Sequence, residues 1–210
     1  MHQLTRGASP TCLGSYQHSL HGWKDVRSTD KQQIWLCLTA MQQQRCAYCE
    51  CSLSPATRHI EHFVQRSHDP SKTFAWTNLF GSCNRDESCG MHKDAKGLPY
   101  SDADVIKPDS EDPERLLVFD PHGGISPRAG LSPADHRRAT ETIRVFNLNG
   151  VLKAIRRSEV MGYVQTAEQF EEMAATFPPA DWLPLLEEEV EKIRELPFAT
   201  AIKHVLTNQS

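Results

Sequence analysis

The sequence predicts an α+β fold: a small metal-stapled unit of two strands and a helix, preceded by a helix and followed by a helical region. Three observations carry that reading. Cys46-Ala-Tyr-Cys49 and Cys83-(x5)-Cys89 bracket a stretch short of long apolar runs, and four thiolates at such spacings suit a closed tetrahedral zinc site. Between the pairs, Arg58-His59-Ile60-Glu61-His62-Phe63 alternates polar and apolar residues with the period of a strand, and Phe74-Ala-Trp76-Thr-Asn78-Leu79-Phe80 is a second strand candidate. From Ser132 onward, apolar residues recur at helical spacing.

Residues 1–45 read as a helical lead-in. Ser28-Thr29-Asp30 offers N-cap candidates, and Ile34, Leu38 and Met41 recur on one helical face up to Gln44. Trp23, Trp35 and Cys37 read as core packing. Residues 46–100 form the stapled unit, in which Cys51 competes for a ligand position and Gly90-Met-His92-Lys93 begins a short helix ending near Gly97. Residues 101–130 hold a hairpin, with Leu116–Asp120 and Ile125–Pro127 flanking the glycine turn Pro121-His-Gly-Gly124. In the helical region, residues 131–210, Ser132-Pro133-Ala-Asp135 supplies an N-cap, an N1 proline and a carboxylate near the capping-box position. That helix runs through Ala139, Ile143 and Phe146, and others begin at Val151, at Ala180 after two prolines, and at about Phe198.

At 210 residues, 39% hydrophobic and 24% charged, the composition fits a globular protein with a sizeable core. No apolar run approaches the roughly 18 residues of a membrane span, and Met1–Arg6 leads into Gly7 and Pro10 rather than an apolar stretch. The expected location is therefore the cytoplasm, with no membrane partner. In a reducing compartment, 7 cysteines with C-x-x-C spacing favour metal binding over disulfides.

Glu61-His62, Asn78-Leu79 and Cys89-Gly-Met-His92-Lys93, in that order and interleaved with the cysteine pairs, resemble the HNH endonucleases, the ββα-metal nucleases, in their four-cysteine form. More narrowly, Cys46-Ala-Tyr-Cys-Glu50, His59-Ile-Glu-His-Phe63, Trp76-Thr-Asn-Leu-Phe-Gly-Ser-Cys83 and Cys89-Gly-Met-His-Lys-Asp94 are similar to the PtuB family, the HNH subunits of Septu and retron-associated anti-phage systems. The Asp120–Pro127 hairpin and the helix from Ala139 to Asn149 extend the resemblance over most of the first 160 residues.

The resemblance implies a metal-dependent phosphodiester hydrolase, the toxic subunit of a defence complex. Glu61 and His92 would hold the catalytic metal, His62 would take the proton from the attacking water, and Asn78 would tie the strand and loop together. Cys46, Cys49, Cys83 and Cys89 would hold a structural zinc. The chemistry agrees: histidine titrates near working pH, and a carboxylate suits a hard cation such as Mg²⁺, with His92 also admitting Mn²⁺. The two metals must be separate, because a closed Cys₄ site leaves no position for water.

Alternation along a strand puts Glu61 and His62 on opposite faces and His59 on the side of Glu61. Either the strand bends at the motif or His59 is the ligand. The family commonly has Asp at the position of Glu61, and many members have Asn or His at the position of Gly90. That leaves His92, with Asn84 as a weaker candidate, for the last ligand. Arg66, Arg85 and Lys93 are candidates to contact phosphate.

A net charge of −4 disfavours binding nucleic acid alone and points to a partner. By resemblance that partner is a PtuA-type ATPase, with a retron reverse transcriptase and its RNA–DNA product as a further one. The basic stretch Arg128, Arg137, Arg138, Arg144, Lys153, Arg156 and Arg157 is expected at the interface or along phosphates, while Glu187–Glu191 is acidic. The substrate is DNA or, alternatively, RNA such as tRNA. The rival from another class is a non-catalytic zinc-ribbon adaptor, which would have no use for Glu61, His62, Asn78 and His92 together.

Overall fold

The computed structural model describes residues 1–95 and 98–207, so the helix end expected near Gly97 lies outside the described residues. Helix α1, Ser28–Gln42, buries Ile34, Leu38 and Met41, each such burial stabilising by roughly 1.5–3 kcal/mol. Asp30 caps nothing. Its carboxylate turns inward, accepting from Tyr16 Oη and from Arg27 Nε at 2.9 Å. The helix stops where Gln43 turns left-handed at φ 51°. Gln42, buried at that end, donates through Nε2 to the carbonyls of Arg45 and Gly81 (2.7 and 2.8 Å) and accepts from Gly81 N at 2.8 Å. Trp23, Trp35 and Cys37 are half-buried against the core rather than inside it.

Strand β1, Arg58–His62, pairs antiparallel with β2, Leu79–Cys83, Arg58 opposite Cys83 and His62 opposite Leu79. The second strand therefore starts later than the apolar run Phe74–Phe80 predicts. Trp76–Asn78 forms a 3-10 turn instead, because the Asn78 side chain is occupied with loop backbone and the Trp76 indole donates to Gly7 O at 2.9 Å. A short helix α2, Cys89–Lys93, completes a strand–strand–helix unit, and Cys89 N donates to Phe146 O at 2.8 Å.

Strands β3, Leu117–Phe119, and β4, Ile125–Pro127, form the hairpin. Helix α3, Pro133–Val145, is capped as expected, Asp135 N donating to Ser132 Oγ at 3.2 Å. Helices α4 (Val151–Val160), α5 (Val164–Thr176), α6 (Pro179–Ile193) and α7 (Ala199–Leu206) follow. Tyr48 stacks on Phe146 with ring centroids 3.9 Å apart, joining the first cysteine pair to the end of α3.

The helical region is no appendage. Seven residues of α7 are buried, and the helix packs against β3, α4, α5 and α6. Glu50, left-handed at φ 66° and buried, accepts Phe198 N on its carbonyl and Thr200 N on Oε2, both at 3.1 Å. Arg45 Nη1 donates to the carbonyls of Arg194 and Leu196 (3.0 and 3.1 Å). One hydrophobic cluster among the described residues thus runs from Met1 to Leu206. Helices α5 and α6 join it only along one edge, burying Ala167 and Ile193 and packing Val164, Leu186 and Val190 against it.

Part of the basic stretch is paired or buried. Arg137 pairs with Asp104, Arg138 with Glu111 and Arg144 with Glu141. Arg156 is 1% exposed and donates to Gly123 O at 2.8 Å and to Leu148 O at 2.7 Å, so it holds the hairpin to α4 and is not a docking residue. Among the described residues no helix is long and apolar enough to cross a membrane.

Candidate active site and four-thiol centre

The ligand atoms of Cys46, Cys49, Cys83 and Cys89 all lie within 4.8 Å of one another, and all four residues are buried and free of disulfides. The Cys49 and Cys83 sulfurs are 4.0 Å apart. Zinc–sulfur bonds of about 2.3 Å place tetrahedral sulfurs just under 4 Å apart, so the donor set fits a tetrahedral metal. Cys51, although buried next to them, is not in the group. The geometry is assembled from α1's exit at Cys46, the end of β2 at Cys83 and the start of α2 at Cys89.

Across the sheet, Glu61 and His59 share a face: His59 Nε2 donates to Glu61 Oε2 at 3.1 Å. That bond orients the carboxylate and leaves His59 Nδ1 buried without a hydrogen-bond partner. Lys93 Nζ lies 2.8 Å from Glu61 Oε1 and donates to His62 O at 3.0 Å and to Asp94 Oδ1 at 2.5 Å. Lys93 is 0% exposed, so it is no surface contact for phosphate. Burial works against its charge, but the Glu61 and Asp94 carboxylates outweigh that and raise its pKa above the usual lysine range.

Gly90 makes room for this cluster. A Cβ there would sit 2.3 Å from Glu61 Oε2, so the longer side chain of Glu61 occupies space that only glycine leaves open. Gly90 and Lys93, three apart on a helix, face Glu61 together. His92 is held elsewhere: its Nδ1 donates to Val145 O at 2.9 Å, which leaves Nε2 as the nitrogen with a lone pair.

His62 lies on the opposite face. Its Nε2 donates to Thr73 O at 3.0 Å, and Trp23 meets the ring edge-on at 4.6 Å between centroids. Because the carbonyl can only accept, Nδ1 carries the lone pair. Burial pushes the His62 pKa down to about 4, so the imidazole is neutral at neutral pH. Asn78 accepts from Val64 N at 2.8 Å and donates to the carbonyls of Val64 and Lys72 (3.0 and 3.2 Å), fixing the loop that carries Thr73.

Arg66 and Arg85 are exposed. Asn84 is exposed too and donates to Ala56 O at 3.0 Å. It follows Cys83, four residues along β2 from the Phe80 that faces Glu61, or about 13 Å away. Asn84 is therefore not a ligand beside Glu61. Sequence reasoning missed the parts played by Gly90 and Lys93; the signal available was their three-residue spacing, which points both at the strand.

The fold and site define a mixed helix and small-sheet protein with four buried thiols close enough to hold a metal ion, beside a histidine–carboxylate cluster. No protein-family model matches the chain. It is similar to the Septu protein PtuB of Bacillus thuringiensis, 27% identical over 151 residues, 70% of this chain and 54% of that protein. The chain thus spans about half the length of the curated relative it matches.

Proposed function

We propose that the chain is a metal-dependent HNH endonuclease, the effector of a Septu-type anti-phage complex. The observation that carries this reading is the tautomer of His62: Nε2–H is spent on Thr73 O, so Nδ1 of a neutral, fixed imidazole is left to accept a proton. A neutral histidine so oriented has its lone pair free for a general-base role, typically worth 10²–10⁴-fold in rate, while burial lowers its basicity below that of a free imidazole. The similarity to PtuB supports the defence context.

In this reading Glu61 and His92 hold a divalent cation, Mg²⁺ or Mn²⁺. Their donor types fit it: Glu61 offers a buried carboxylate, its Oε1 shared with the Lys93 ammonium at 2.8 Å, and His92 Nε2 has an unused lone pair. When bound, such an ion supplies charge neutralisation on the phosphoryl oxygens and at the leaving oxygen. His62 Nδ1 takes the proton of the attacking water. Lys93 and His59 fix the Glu61 carboxylate, and Lys93 also fixes the His62 carbonyl, so base and ligand keep their relative placement. The Cys₄ centre holds zinc and serves the fold.

The partner is a PtuA-type ATPase, and its docking falls to α5 and α6, where Phe177, Leu183 and Leu185 are exposed. A retron reverse transcriptase with its RNA–DNA is a further member where the chain is retron-borne. The test is cleavage of labelled DNA and RNA by the complex with Mg²⁺ or Mn²⁺, beside His62→Ala. Loss of cleavage with unchanged zinc and fold is expected. Equal cleavage by the variant would remove the base, and no cleavage by any form would favour an adaptor.

A further inference from the structure

A groove of about 690 Å³ lies between the hairpin tip and α4. It is lined by His122, Asn149, Lys153, Ala154, Arg157 and Met161, among others. Lys153 and Arg157, four apart, stand on one face of α4, and His122 approaches from the hairpin. All three are exposed, and none has an ion-pair partner among the described residues, unlike Arg137, Arg138 and Arg144. The nearby carboxylate of Asp120 is engaged by the turn, accepting from His122 N and Gly124 N at 2.7 and 2.9 Å.

The groove is built and not an accident of loose side chains. Gly123, at φ 76°, lets the hairpin tip touch the α4 backbone, where a Cβ would come within 2.4 Å of Lys153 O. Buried Arg156 clamps Gly123 O and Leu148 O beneath it, and Asn149 exchanges two hydrogen bonds with Ile125 (3.0 and 2.8 Å). The segment connecting it to the site is also bonded down: His92 Nδ1 to Val145 O, Cys89 N to Phe146 O, and Asn147 Nδ2 to Glu87 O at 2.7 Å. Val145 and the groove residue Gly150 are five residues apart, hence at most about 18 Å.

We infer that this groove binds the phosphodiester backbone of the substrate strand a few nucleotides from the bond that is cut. The inference rests on the nuclease reading for what the phosphates belong to. Two cations without ion-pair partners, Lys153 and Arg157, with the His122 imidazole beside them on a concave wall, match consecutive phosphates, and a span of at most about 18 Å corresponds to at most about five base pairs of rise. Charge distribution agrees. Residues 161–195 hold nine of the 27 acidic residues and two of the 23 basic ones, so the rest of the chain, groove included, carries a net positive charge despite the overall −4.

The test is oligonucleotide binding by fluorescence anisotropy over a salt series, using full-length zinc-loaded protein in a His62→Ala background, with Lys153→Gln plus Arg157→Gln as the variant. Both positions are exposed, and an unchanged Tm and zinc content would establish that the fold is intact. The expected result is binding weaker by on the order of tenfold at about 50 mM salt, and a log–log salt slope flatter by about 1.8 for duplex DNA or about 1.4 for a single strand. An unchanged affinity and slope would overturn the inference, as would absence of any binding by the parent at low salt. Loss of capture of a protein partner with the nucleic-acid slope intact would overturn it too, by assigning the groove to that partner. Binding lost in the variant of a chain that never cleaves would sink the nuclease reading and leave the groove standing.

Discussion

The stapled core and the α5–α6 hairpin are built on opposite terms. In the core that holds the four thiols, the buried Gln42, Asn78 and Lys93 each make several hydrogen bonds or ion pairs across elements. Helices α5 and α6 instead expose Phe177, Leu183 and Leu185 and hold acids that pair locally, as Glu188 and Glu189 do with Lys192. The difference teaches where stability and recognition reside. A core so cross-tied transmits any loss, whereas a solvated hairpin can change its surface freely.

The largest expected break in that comparison is metal loss. Cys46→Ser with Cys49→Ser should abolish zinc binding and cooperative unfolding together, since structural zinc contributes on the order of 10 kcal/mol or more; elemental analysis and a thermal melt check it. Next, Arg156→Met strands the carbonyls of Gly123 and Leu148 and should destabilise by about 2–4 kcal/mol in a denaturant titration. By contrast, Leu183→Ser on α6 should stay within about 0.5 kcal/mol while weakening capture of the partner.

A pH effect of similar size belongs to the seam between β3 and α7. Burial would raise the Glu114 pKa, but His204 Nε2–H at 3.1 Å and Lys203 at 2.7 Å hold it down at about 2. The folded value lies below the unfolded one near 4.3, so the contribution, about 3 kcal/mol, is full above that pH and lost as pH falls toward 2. Glu114→Gln should flatten the stability curve in that window; an unchanged curve would refute the seam's role.

The most specific effect is a coupling between two positions. Gly90→Ala should press on the Glu61 carboxylate and reduce cleavage, and Glu61→Asp in the same chain should relieve the clash, with a coupling of about 1–2 kcal/mol in a double-mutant cycle. Additive losses would mean that the two positions are independent.

The comparison also explains what was legible in the sequence. The cysteine set, β1 and the Ser132 cap depend on local spacing, and spacing is visible. The start of β2 was not, because Asn78 bonds to Val64 and Lys72, partners 14 and 6 residues away. Arg156 looked like one more surface cation because its carbonyl partners come from the hairpin and the α3–α4 turn. Helix α7 carried a readable clue: Ala199-Thr-Ala-Ile-Lys-His-Val-Leu206 is apolar nearly all round, as a buried helix should be. For Lys93 no local pattern distinguishes a buried ammonium from a phosphate contact.

The bonds from Glu50 to Phe198 and Thr200 have a consequence for synthesis. A chain emerging from the ribosome presents its cysteines early, and Met1 can meet the carboxylate of the residue next to Cys49 at once, yet that residue lacks the Phe198 and Thr200 amides until some 150 more residues have been made. The unit that would cut nucleic acid is thus finished late in translation, and a prematurely terminated chain lacks the piece that completes it.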